Sequence, residues 1–328
     1  MTQGRPRGNV CSMITNSLEA AVAERRHRSA DGPAIEVRGL RKAYGSTQAL
    51  DGVDLTVRRG ELLAVLGPNG AGKTTLVEIL EGHRSASAGE VSVLGFDPSD
   101  RERAFRERIG IVTQEEGLDP LLTVRESVEL YSAAYPDPRD AGEVLELVGL
   151  AGRPDVRTAA LSGGQRRRLE LALAIAGNPE LVFLDEPTTG FDPAARRQSW
   201  ELIAGLRELG TTILLTTHYL DEAQHLADRV VVVAGGRVIA EGTPEALGAG
   251  DAPEALISFH DPGGALPLPA GAEVDRRDGR ISFRTAAPTR DLAPLVAWAA
   301  ERNAELDGLT VTRPSLEDVY LELTKESA

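Results

Sequence analysis

Residues 62–80 read LLAVLGPNGAGKTTLVEIL, an apolar run, a glycine-rich turn and a helical pattern in direct succession. The middle of this stretch fits G-x-x-x-x-G-K-[ST], and its flanks supply the buried strand and following helix that a phosphate-binding P-loop requires. Glycines let the backbone curl until its N–H groups point inward at a polyphosphate, and the first turn of the helix adds its positive dipole end. Gly67, Pro68, Asn69, Gly70, Ala71, Gly72, Lys73, Thr74 and Thr75 therefore read as a nucleotide cradle. Within it Lys73 reaches the β and γ phosphates, and the Thr74 hydroxyl holds Mg²⁺. A plain glycine turn would need neither the lysine nor the threonine.

The 328 residues have room for about two cores. With 36 basic against 50 acidic residues, net −14, the chain lacks the basic excess of proteins that grip phosphate backbones, so no nucleic-acid partner is expected. One cysteine, Cys11, makes no internal disulfide and fits a reducing compartment. The longest apolar runs, such as residues 181–184 and 230–234, fall far short of the roughly 18–20 residues that span a bilayer. Residues 1–33 lack the apolar core and cleavage pattern of a secretory signal and read as a disordered extension.

Downstream of the P-loop, further stretches carry chemistry. Residues 181–187, LVFLDEP, form an apolar strand ending in two acids. At the end of a buried strand beside a P-loop, Asp185 is placed to hold Mg²⁺. Strand alternation sends Glu186 to the opposite side, where it can polarise an attacking water as general base. Residues 161–165, LSGGQ, open a helix continued by Arg166, Arg167 and Arg168. Ser162 is a good N-cap, and Gly163 and Gly164 leave the first-turn amides uncovered for an anion. One nucleotide does not need two such helix starts in cis. Three residues have two readings each from local context: Tyr44 as a purine-stacking ring or an ordinary strand tyrosine, Gln114 as a Mg²⁺ ligand or a loop residue, and His218 as a γ-phosphate contact or a structural histidine.

Taken together and in this order, the motifs resemble the ATP-binding subunit of an ABC transporter, a likeness that covers roughly residues 35–242. The resemblance implies an α/β fold: a P-loop NTPase (RecA-like) core with an antiparallel β subdomain and an inserted helical subdomain at about residues 115–178, the whole cassette running over residues 34–245. It implies ATP and Mg²⁺ as ligands, Tyr44 as the adenine platform, Gln114 as the Q-loop glutamine and further Mg²⁺ ligand, Glu186 as catalytic glutamate and His218 as switch histidine. LSGGQ is the family signature, so Ser162, Gly163, Gly164 and Gln165, with Asp192, would contact the nucleotide on a second copy. That dissolves the puzzle of two phosphate sites in one chain.

Phe191 departs from the pattern, since leucine is commonest there. With the arginine-rich run after the signature, it resembles the drug and antibiotic exporter branch similar to daunorubicin-resistance ATPases. The resemblance further implies a homodimer with ATP sandwiched in its seams, cytoplasmic on the inner face of the membrane, beneath a separately encoded permease that exports a drug, antibiotic or lipid-like substrate. The alternative is a soluble ABC ATPase working on DNA or ribosomes, disfavoured by the single uninterrupted cassette and the negative charge. Residues 250–328 read as a small α+β domain with three strands, a helix at 290–302 and a last helix at 314–324.

Overall fold

The computed structural model describes residues 32–112, 117–249 and 255–312. The chain divides after Ile239 into two compact units. In the first, strands β1 (Ile35–Tyr44) and β2 (Thr47–Val57) form a long antiparallel pair across the turn at Gly45 and Ser46, and β3 is Leu62–Leu66. After helix Lys73–Leu80 comes β4 (Ala88–Val93), which pairs with the other edge of β1 to complete a three-stranded sheet.

The second sheet has six strands. Besides β3 it contains β5 (Ile109–Val112), β6 (Leu181–Asp185), β7 (Thr212–Thr217), β8 (Arg229–Ala234) and β9 (Arg237–Gly242), in the order β5-β6-β7-β3-β8-β9. The pairs β5–β6, β6–β7, β7–β3 and β3–β8 are parallel. Every residue of β3, β6 and β7 is buried. Strands covered on both faces bury alternate residues equally, which is why β3 and residues 181–184 of β6 are continuous apolar runs and why the threonines of β7 are buried too. Ile35, Val37 and Leu55 of the small sheet share one core with Leu76 and Leu80 of the P-loop helix and with Leu63, Val65, Phe183 and Leu214 of the large one. That common core fixes the P-loop helix between the two sheets.

Helices Val124–Ser132, Ala141–Leu147 and Gly163–Ala176 make up the helical block. The first carries a capping box, Thr123 with Glu126, and the second is capped by Asp140. The third runs close against β5 at Gly110, where a Cβ would fall 2.1 Å from the Ala174 carbonyl oxygen. Only glycine fits that approach.

The second unit, taken by itself, contains helix Pro244–Ala249 and an antiparallel sheet of β10 (Ala255–His260), β11 (Val274–Arg277), β12 (Arg280–Thr285) and β13 (Thr310–Thr312), ordered β11-β12-β10-β13. Ile257, Phe259, Ile281 and Phe283 cover one face and pack with Leu295 of helix Pro288–Glu301. The helix expected at 314–324 lies outside the described residues, as do residues 1–31. No helix among the described residues is long and apolar enough to cross a membrane.

Candidate functional site

The order β6-β7-β3 sets three strand ends side by side. In register, Leu66 stands opposite Thr217 and Asp185 opposite Thr216. The residues that follow those strands, the P-loop after β3, Glu186 after β6 and His218 after β7, therefore emerge at one edge. Ligands of open parallel sheets bind outside these carboxyl ends.

Gly70 and Gly72 adopt φ values of +81° and +104°, conformations open to glycine. At Gly72 a Cβ would also fall 2.5 Å from the Ala49 carbonyl oxygen. Pro68, Asn69, Gly70 and Thr74 are exposed, Thr75 is half-buried, and Gly67 and Ala71 are buried. Lys73 turns back into the loop: its Nζ donates to the carbonyl oxygens of Gly67 at 2.7 Å and Pro68 at 3.2 Å. Burial pushes the Lys73 pKa down, while Glu186 and then Asp185 pull it up. The loop carbonyls thus hold the ammonium inside the glycine turn.

Asp185 is buried, and its carboxylate accepts a hydrogen bond from the Thr216 hydroxyl. Burial raises its pKa, opposed by that hydrogen bond. The next residue corrects the strand-alternation expectation. β6 ends at Asp185, and Glu186 takes φ +46°, a left-handed turn rare outside glycine and asparagine. The turn swings its side chain back toward the P-loop, with Oε1 3.7 Å from Lys73 Nζ and Oε2 3.2 Å from His218 Nδ1. Thr189 Oγ1 donates to the same Oε2 at 3.2 Å. The Glu186 N–H is held by both the carbonyl and the hydroxyl of Thr216, each at 3.1 Å. Thr189 and Thr216 were missed in the sequence; a pair of threonines closing an otherwise apolar strand was the available signal for Thr216.

Thr74 Oγ1 and the Asp185 carboxylate are hard oxygen donors of the kind Mg²⁺ takes, with waters and phosphate oxygens completing its shell. The donor set fits that ion. Gln114 lies outside the described residues.

Tyr44 ends β1 with 40 % of its surface exposed, its ring flanked by Lys42 Nζ at 5.2 Å and the Arg84 guanidinium at 5.6 Å from the centroid. An aromatic face beside cations suits a purine carrying phosphates.

Ser162 and Gln165 cap helix Gly163–Ala176 reciprocally, Ser162 N–H donating to Gln165 Oε1 at 3.0 Å and Gln165 N–H to Ser162 Oγ at 3.3 Å. A Cβ on Gly163 or Gly164 would meet nothing within 4 Å, so no packing within the described residues calls for glycine there. Asp192 caps the next helix, accepting from the N–H groups of Ala194 and Ala195 at 2.9 Å each. That structural job was not foreseen. Ser162, Gln165, Phe191 and Asp192 line one cavity of about 940 Å³ that reaches Glu186 but includes no residue of the P-loop.

A separate groove of about 500 Å³ opens where the end of the P-loop helix, β5 and the helical block meet, lined among others by Glu81, Phe105, Ile111, Tyr131, Tyr135 and Leu173. The Glu81 side chain is 4 % exposed, its Oε2 3.2 Å from His83 Nδ1. Burial, reinforced by Asp185 and Glu78, pushes its carboxyl up to about 8.

The model of the ABC transporter family matches residues 50–189, and that of the C-terminal domain of ABC transporter domain-containing protein-like chains matches 255–315. The chain is 43 % identical to the daunorubicin resistance ATP-binding protein DrrA3 of Streptomyces coeruleorubidus, over 89 % of this chain and 96 % of that one. It is 39 % identical to the Nod factor export ATP-binding protein I of Burkholderia orbicola, over 88 % and 96 %. Among solved structures, a dimeric bacterial ABC transporter cassette superposes with a TM-score of 0.57 at 28 % identity, covering 64 % of this chain and 98 % of that one.

Proposed function

Since the chain belongs to the ATP-binding ATPases of the ABC transporter family, we propose that it is the motor of an exporter, a homodimer on the inner face of the membrane driving a separately encoded permease. The observation that carries the reading is the position of Glu186, its carboxylate between Lys73 and His218 at the ends of three adjacent strands.

ATP enters with its adenine on Tyr44 and its phosphates in the Gly67–Thr75 loop. Lys73 exchanges the carbonyls of Gly67 and Pro68 for β- and γ-phosphate oxygens. Thr74 and Asp185, with Gln114 as a further ligand, would hold Mg²⁺, which would supply charge neutralisation at the phosphoryl oxygens. Glu186, once Lys73 has moved to the phosphates, accepts the proton of the attacking water. His218, 3.2 Å away, holds that carboxylate and the water in line. The second copy supplies Ser162, Gly163, Gly164 and Gln165 over the γ-phosphate and Asp192 at the seam. Binding closes the dimer, and hydrolysis opens it.

The groove beside Glu81 fits a short cytoplasmic helix of the permease: apolar and aromatic side chains such as Phe105, Tyr131 and Tyr135 share its walls with the charged Arg101, Arg106 and Glu170, and it adjoins both the P-loop helix and the signature-bearing block. The names of the relatives, daunorubicin resistance and Nod factor export, favour export of a drug, antibiotic or lipid-like substrate. In liposomes with the polytopic membrane protein encoded beside it, the chain should couple ATP hydrolysis to movement of such a compound. Turnover at one rate with and without every such protein would refute the transporter reading.

A further inference from the structure

Glu222 lies on helix Leu220–Leu226, four residues after His218, and is fully buried. Its Oε1 accepts two hydrogen bonds, from Thr188 Oγ1 at 2.8 Å and from Trp200 Nε1 at 3.0 Å. Its Oε2 is buried with no hydrogen-bond partner. The two donors come from different places. Thr188, itself fully buried, sits two residues after Glu186, and Trp200 belongs to helix Pro193–Glu208, which Asp192 caps. One carboxyl group thereby joins the loop carrying the general base, the helix behind Asp192 and the helix behind the switch histidine.

The Glu186 conformation gives this junction a task. A non-glycine residue in the left-handed region is strained and persists only where its surroundings over-determine it. On one side Glu186 is held by Thr216 through its own N–H. On the other, Pro187 is buried with its carbonyl accepting from Arg167 Nε at 2.9 Å, and Thr188 is anchored through its hydroxyl to Glu222. Releasing Thr188 frees the turn to relax, which carries the Glu186 carboxylate away from Lys73 and His218.

The chemistry of the buried group agrees. Burial raises the Glu222 pKa, against the pull of its polar neighbours Thr217, Thr188 and Trp200 and of the Arg196 charge; the His225 ring stacks on Trp200, centroids 5.0 Å apart. An sp² oxygen takes two donors, as Oε1 does, and the glutamine amide oxygen supplies the same acceptor in the same place. An apolar residue fills the space and does not.

We propose that Glu222 is a positioning residue for ATP hydrolysis, clamping Thr188 so that the Glu186 turn, Asp192 and the His218 segment act as one body. This rests on the roles given above to Glu186 and His218. It assigns Glu222 no contact with nucleotide.

The test is steady-state ATPase kinetics on the purified full-length chain, with a denaturation midpoint for each variant. Glu222→Leu and Thr188→Val should each lower kcat by about tenfold or more, with the KM for ATP changed less than about twofold. Glu222→Gln should recover most of the wild-type kcat. The double variant Glu222→Leu/Thr188→Val should be no worse than either single one, because both break the same link. Multiplicative losses in the double variant, or a kcat in Glu222→Leu equal to wild type, would overturn the proposal. So would a Glu222→Gln variant as slow as Glu222→Leu. If instead Glu186→Gln turns over like the wild type, the base assignment has failed independently of Glu222.

Discussion

Replacing Glu81 by glutamine removes a carboxyl whose ionisation is opposed by its burial in the groove. Unfolded, this glutamate titrates near its ordinary 4.5; folded, it holds its proton up to about 8. Between those values the native chain binds a proton that the unfolded chain has released. The resulting stability is fully present below the unfolded value and is lost as pH rises through the folded one. At about 1.4 kcal/mol per unit the whole displacement corresponds to about 5 kcal/mol, of which about 4 falls between about pH 5 and about pH 9. Desolvation is the leading cause, so residual water in the groove would make this an upper bound. Glutamine keeps the shape and has no proton to lose. Urea denaturation of the full chain across that range should show the wild type losing stability relative to Glu81→Gln as pH rises, the two converging toward the acid end. Parallel pH–stability curves would refute the buried-carboxyl reasoning, and so would a glutamine variant that is the less stable of the two at about pH 9.

Glu186→Gln should lower ATP turnover by about 10²–10⁴-fold while leaving ATP binding intact and trapping a dimer, read by phosphate release and sedimentation; wild-type turnover would remove Glu186 as the base. Ser162→Arg should abolish hydrolysis that depends on dimer formation yet leave the nucleotide affinity of the monomer unchanged, and loss of that affinity would place the two sites in cis. Tyr44→Ala should weaken ATP binding by about 1–3 kcal/mol in calorimetry and Tyr44→Trp should preserve it, because a purine stacks on either ring; equal affinities for all three would make Tyr44 an ordinary strand residue.

The large sheet was legible because strands buried on both faces must be written as unbroken apolar runs, and the acids and glycines interrupting those runs mark where the site lies. β3 and the first four residues of β6 follow this rule, and β7 keeps it at Ile213, Leu214 and Leu215 between threonines. β11 was not found: an edge strand in which Asp275, Arg276 and Arg277 are exposed has no face that must be apolar. The left-handed turn at Glu186 was equally silent. It is flanked by anchors that lie far away in sequence, Thr216 on its own N–H and Glu222 on the Thr188 hydroxyl, with no glycine or asparagine at the position itself. Glu222 escaped notice for a related reason. A lone glutamate in a short helix reads as solvated until the fold surrounds it.

The two anion-facing helix starts bear on assembly. Lys73 is satisfied by carbonyls of its own loop, and Ser162 and Gln165 are satisfied by each other. No hydrogen bond or ion pair among the described residues joins the two motifs, and the cavity at the signature excludes the P-loop. Each is therefore complete as local structure and incomplete as chemistry: the P-loop binds phosphates but leaves one flank open to water, while the signature glycines stand clear, with nothing within 4 Å of where a Cβ would sit. A second copy related by a two-fold axis remedies both at once, since an isologous contact that places signature over P-loop at one seam does so at the other and closes at two chains. Nucleotide lies between the motifs in such a pair, so its γ-phosphate is part of the interface. On the proposed reading, cleaving that phosphate removes interface contacts, and hydrolysis at Glu186 would thereby separate the two chains.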